Sequence, residues 1–115
     1  MEAAPKFKAI TLRSGLSLNL HEVSFLDLQD GEEILKKPHS DWIAVDEEKK
    51  QTRIHESSKT IPVMVWLMSR KDGLTIDEVI ARKWKFSLEW LTAQFTMKDL
   101  ASHAETIVQC FFDPA

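Results

Sequence analysis

Apolar and polar positions alternate strictly in LSLNL, residues 16 to 20, which places Leu16, Leu18 and Leu20 on one face of a strand. FKAITL (Phe7 to Leu12) fits a partner strand, and Arg13-Ser14-Gly15 carries the glycine of a short turn. The chain is therefore predicted to open with a β-hairpin over residues 7–20. Its apolar face needs a cover, which the next segment is expected to supply. Asn19 and Glu22 have the spacing of a capping box, and Val23, Leu26, Ile34 and Leu35 recur near helical spacing. Gly31 weakens that helix, and Pro38 ends or bends it.

The pattern lapses from Pro38 to Lys59. PHSDWIAVDEEKKQTRIHESSK is dense in charge of both signs, with Trp42, Ile43, Val45 and Ile54 as its anchors. It reads as a long, mobile connection with one solvated helical turn around Asp46 to Arg53, and such loops are functional or disordered. Order returns at Thr60. Pro62 suits the first turn of a helix, and Val63 to Met68 are apolar all round, so this helix is predicted to be the buried centre, stopping at Lys71-Asp72-Gly73.

Thr75 and Glu78 form a further capping box, opening a helix whose stripe runs Ile76, Ile80, Trp84, Leu88, Leu91, Phe95. Val79, Phe86 and Trp90 make a second stripe beside it. Thr96 and Asp99 open the last helix, with Leu100, Ala104, Ile107, Val108 and Phe111 on its apolar face. The expected fold is α+β and mainly helical: one domain over residues 1–115, an N-terminal hairpin followed by about four helices, with residues 60–112 as the helical core.

Composition narrows the function. An apolar share of 43% and a charged share of 29% describe a folded chain. The formal net charge of -3 supplies no field that would gather nucleic acid or an anionic membrane. The start, MEAAPKFK, lacks the positive n-region and apolar stretch of a signal peptide, and Ile61 to Met68 is too short to span a bilayer. One cysteine excludes an internal disulfide and fits the cytoplasm.

His103, Glu105 and Cys110 raise the question of a metal site near the C-terminus. His103 and Cys110 share an edge of the apolar stripe, but Glu105 points about 160° from His103, so the three do not converge on one ion. A boundary histidine and a small buried thiol is the plainer reading. The three glycines are dispersed, Ser57, Ser58 and Ser102 lack a nucleophile elbow, and Cys110 has apolar neighbours. No catalytic, metal-binding or cofactor-binding set is predicted, although a triad assembled only in three dimensions leaves no trace in such a pattern.

Arg82, Lys83 and Lys85 around Trp84 form a small basic-aromatic cluster, read either as a nucleic-acid contact or as the solvated face of a helix; the acidic net charge favours the second. Four tryptophans and six phenylalanines are more telling. Trp42 lies in a segment with little else to build a core, and the doubled stripe exceeds what one packing partner needs. Aromatics beyond a core's demand mark association surfaces. The alternative is a helix sandwiched between two others in the same domain.

The order of elements resembles the tail assembly chaperones of long-tailed bacteriophages, in particular the minor tail protein G family. The residues that carry the resemblance are SHAETIV (Ser102 to Val108), IPVMVWLMS (Ile61 to Ser69) and LSLNLHEVS (Leu16 to Ser24). The resemblance implies a non-enzymatic protein of the host cytoplasm that binds the tape measure protein, helps recruit the tail tube protein, and self-associates. It implies a groove lined by Trp84, Phe86, Trp90 and Phe112, with Trp42 as a further partner-binding candidate. The resemblance also implies a longer version with a downstream domain, typically made by frameshifting, and some relatives carry a long flexible C-terminal tail, whereas this chain stops at Asp113-Pro114-Ala115. The other readings are a small regulatory or immunity-type adaptor that blocks a protein partner and, behind it, a nucleic-acid-binding regulator.

Overall fold

The computed structural model describes residues 8–46 and 48–112. Phe7, the expected start of the first strand, the MEAAPK residues before it, Glu47 and residues 113–115 lie outside the described residues. The fold is α+β and mainly helical, with two antiparallel hairpins and five α-helices among the described residues.

The first hairpin pairs β1 (Lys8–Thr11) with β2 (Ser17–Leu20) in the register Lys8↔Leu20 to Thr11↔Ser17. Gly15, at φ +92, closes the turn in a conformation that glycine adopts without steric cost. Ile10, Leu12, Leu18 and Leu20 are buried as the alternation requires. Their principal cover is α2 (Ser57–Ser69) and not the helix that follows the hairpin: β2 packs on α2, and the His21 N–H donates to the Met68 carbonyl at 3.1 Å. Asn19 is not a helix cap. It sits in β2 and donates to both oxygens of Asp72 at 3.1 and 3.2 Å, tying the hairpin to the turn after α2.

The box that does open α1 (Phe25–Leu35) is Ser24 with Asp27, each closing the other's free backbone N–H. The helix ends two residues before Lys37, with Lys36 in the left-handed region at φ 55. Gly31 is there for packing. A Cβ on it would stand 2.5 Å from Cη2 of Trp42 and 2.8 Å from Cδ1 of Leu67, so the tryptophan ring lies flush on the helix backbone.

The charged stretch from Pro38 to Lys59 is not an irregular connection. A 3₁₀ turn (His39–Asp41) leads into a second hairpin, β3 (Ile43–Asp46) with β4 (Gln51–Ile54). Its register pairs β-branched residues across the strands, Ile43 with Ile54 and Val45 with Thr52. Asp46 Oδ1 accepts the backbone N–H groups of Glu48 and Lys49 and so replaces the solvated helical turn expected there.

Helix α2 is the buried centre, packed by α1, β2, α4 (Leu88–Gln94) and α5 (Met97–Phe112). Every residue from Thr60 to Arg70 is buried except Trp66, which is half-buried. It begins earlier than the proline implies: Pro62 is its sixth residue, leaving the Ser58 carbonyl without the N–H it would meet one turn on. Thr96 and Asp99 close the predicted capping box at the start of α5, and Asp99 Oδ1 also accepts the Arg13 N–H at 2.9 Å, pinning the hairpin turn to that helix.

The single helix predicted from Ile76 to Phe95 is broken. It forms α3 (Ile76–Ile80) and α4, separated by residues 81–87. The N–H of Lys83 donates to the Glu78 carbonyl and that of Arg82 to Val79, a Schellman ending with Arg82 (φ 56) in the position glycine usually fills.

Candidate protein-binding surface

The site is built outward from one buried cation. Arg70, the C-cap of α2, is fully buried, and its guanidinium donates to Asp27 Oδ1 (2.6 Å) and Asp30 Oδ2 (2.8 Å) on α1. Lys71 Nζ reaches Asp27 Oδ2 at 2.8 Å, and Arg82 reaches Asp30 Oδ2 at 3.1 Å. Each carboxylate thus meets two cations, and burial without such pairing would be prohibitive. Burial pushes the Asp27 carboxyl up. The hydrogen bonds from Lys71, the Ser24 backbone and Arg70 outweigh it and hold it below the ordinary carboxylate value.

Two aromatic rings pack against the Arg70 guanidinium. Its Cζ lies 4.7 Å from the Trp66 centroid and 4.1 Å from that of Trp84, and the two indoles meet edge-on at 6.5 Å. Trp66 Nε1 then donates to the Phe86 carbonyl at 3.0 Å. Phe86 packs on Trp90 with centroids 5.2 Å apart. An aromatic row therefore runs from the buried guanidinium to Trp90, its two ring pairs joined by the hydrogen bond to the Phe86 backbone, and Trp90 is 45% exposed on α4. Ser87 caps that helix by accepting the Trp90 N–H, and Leu91 anchors it in the core. Trp90 is an exposed indole on a backbone fixed at both ends of its row.

The sequence-predicted surface residues divide into two groups. Trp84, Phe86 and Trp90 come together in this row. Trp42 is a correction: it has no exposed surface, donates Nε1–H to the Lys37 carbonyl at 3.0 Å, and packs on Gly31 and on Phe111 at 5.5 Å. It is a core residue because the second hairpin and α1 close over it. Phe112 is partly exposed, but its ring contact is with Phe111, in the Trp42 group. The sequence also missed exposed apolar residues: Phe25 at 85%, Ile76 at 79% and Ile80 at 73%. Phe25 is the first residue of α1 and stands outside its stripe; the isoleucines were assigned to a face that the break at residues 81–87 leaves without cover.

The remaining candidates resolve into local roles. His103 Nε2 lies 3.1 Å from the Thr11 carbonyl, Glu105 is exposed, and Cys110 is half-buried with its thiol pKa raised by burial against a small opposing pull from Lys8. Among the described residues, no three His, Cys, Asp or Glu side chains are grouped to hold a metal ion. Of the basic cluster, Arg82 is engaged with Asp30, while Trp84 is turned inward onto Arg70. A cleft of about 600 Å³ separates β4 from α5, with Thr52, Ile54, Ala101, Ala104 and Val108 in its lining beside Lys50 and Glu105. No helix among the described residues is long and apolar enough to cross a membrane. No family model, curated protein or solved structure matches the chain.

Proposed function

We propose that the protein works by binding protein, through the aromatic row that surfaces at Trp90 and Phe86. The observation that supports this reading is the exposure of Trp90 on a pre-fixed backbone. A large, rigid, amphipathic ring presented without ordering cost is the kind of group that anchors interfaces, where truncating it costs about 2 kcal/mol or more of binding.

The specific role we propose is that of a tail assembly chaperone. It acts in the host cytoplasm without enzymatic chemistry or cofactor, self-associating and shielding the tape measure protein while the tail tube protein is recruited. Support for this role comes from the resemblance carried by Ser102–Val108, Ile61–Ser69 and Leu16–Ser24. An apolar, helical client calls for exposed apolar anchors, and the net charge of -3 favours solubility of the complex. The test is co-expression with a tape measure protein from the same genome. Recovery of a soluble complex is the expected result, and an insoluble client with no complex would overturn the role.

A further inference from the structure

Between Gly73 and Pro114 the chain contains neither glycine nor proline, yet its helical pattern is interrupted at residues 81–87. Ala81, Arg82, Lys83 and Lys85 are good helix formers, so the Ser87 cap marks where α4 starts but local propensity does not explain why residues 81–85 leave the helix. The break is also costly. It places Arg82, a residue with a Cβ, in the left-handed region. It leaves α3 with no buried residue and exposes Ile76 and Ile80, which periodicity assigns to the same stripe as Leu88 and Leu91.

Besides the Schellman bonds that end α3 and the Ser87 cap that starts α4, three contacts across the fold hold the broken form. Arg82 Nη1 donates to Asp30 at 3.1 Å, the Trp84 ring lies 4.1 Å from the Arg70 guanidinium, and Trp66 Nε1 donates to the Phe86 carbonyl at 3.0 Å. All three tie residues 82–86 to α1 and α2, and none depends on α3. Gly73, at φ +74, supplies a hinge ahead of α3.

We infer that residues 76–95 are a two-state element, anchored in the broken form described above and continuous as one helix in a second conformation. In the continuous form α4 stays docked through Leu91 while α3 swings about Gly73 into line with it. Ile76, Ile80, Trp84, Leu88, Leu91 and Phe95 then share one face of a helix about 30 Å long. The left-handed residue disappears, and the backbone groups of residues 81–87 gain helical partners. What is given up is the cover over Arg70. Any partner that covers the extended stripe and not the broken one shifts the population towards the continuous helix.

The test is the double variant Arg82→Ala/Trp84→Ala in the full chain, which removes the two anchors supplied by side chains of the break itself and places the best helix former at each position, leaving only the Trp66 bond to the Phe86 carbonyl, an acceptor that a helix would engage instead. The expected result is an unbroken run of helical Cα chemical shifts from residue 76 to residue 95, with a matching rise in far-UV helical signal. A folded double variant that keeps non-helical shifts at residues 81–87 overturns the inference. Should the variant fail to fold, saturation-transfer NMR on the wild-type chain answers the same question. A minor state with helical shifts at residues 81–87 supports the two-state element, and the absence of one overturns it.

Discussion

Arg70 Nη2 donates to Asp27 Oδ1 at 2.6 Å with both side chains shut off from water. The same carboxylate closes the capping box of α1 and accepts from Lys71, so three structural jobs converge on one group. Removing one partner costs more than breaking a surface ion pair because the group left behind has no water to fall back on. Arg70→Met leaves a buried carboxylate short of a cation and is expected to cost about 3–5 kcal/mol. The urea midpoint measures it. An unchanged midpoint would mean that Asp27 is adequately served by Lys71 and Ser24 alone.

Gly31→Ala inverts the usual rule for helices. In an exposed helix interior this change stabilises by about 1 kcal/mol. Here the new methyl meets the Trp42 ring at 2.5 Å and Leu67 at 2.8 Å, both inside van der Waals contact. The expected outcome is net destabilisation of about 1–3 kcal/mol, the range for overpacked cores, read as a fall in melting temperature. A second substitution at Trp42 that shortens the ring should recover part of the loss.

Trp42 and Trp90 should separate stability from binding. Trp42→Ala empties a filled core site and is expected to cost about 3–5 kcal/mol. Trp90→Ala removes a half-exposed ring and is expected to change stability by less than about 1 kcal/mol while weakening self-association or client binding. Denaturation and sedimentation of the two variants side by side distinguish the roles.

Acid sensitivity follows from carboxylates of lowered pKa, two of them, Asp27 and Asp99, buried. Burial pushes Asp99 up, but the N–H groups of Arg13 and Thr96, the Thr96 hydroxyl and the nearby His103 outweigh it, so its pKa is lowered, as is that of Asp27. A carboxyl that titrates lower in the folded chain makes the unfolded state bind more protons in that range. The stability it contributes is fully present above the unfolded value, about 3.9, and is lost as pH falls through and below it. Urea midpoints should hold level from pH 7 to 5 and drop steeply below 4. In Asp27→Asn that drop should be shallower.

Much of the frame was legible in the residues. The alternation of Leu16 to Leu20, the all-apolar run through Val63–Met68 and the Thr75/Glu78 and Thr96/Asp99 boxes each describe a local event that tertiary packing reinforces. Asn19/Glu22 misled because Ser24/Asp27 has the same spacing, and the choice rests on Asn19 finding Asp72 across the fold. The second hairpin was hidden by its brevity. Four-residue strands give little alternation, yet the β-branched residues at 43, 45, 52 and 54 were the available signal. Trp42 was misplaced because its cover comes from α1, through the glycine that seemed only to weaken that helix. The break at residues 81–87 left one local signal, Ser87 as the cap of α4, while the side chains that hold residues 82–86 away from a helix lie on α1 and α2.

The most direct measurement is the soluble yield of a tape measure protein co-expressed with the wild-type chain and, in parallel, with Phe86→Ala/Trp90→Ala. The expected result is a soluble complex with the wild-type chain, and loss of most of it with a double variant that is itself folded and soluble. Equal yields from both chains would remove the aromatic row as the binding surface, and an insoluble client in both would contradict the chaperone role.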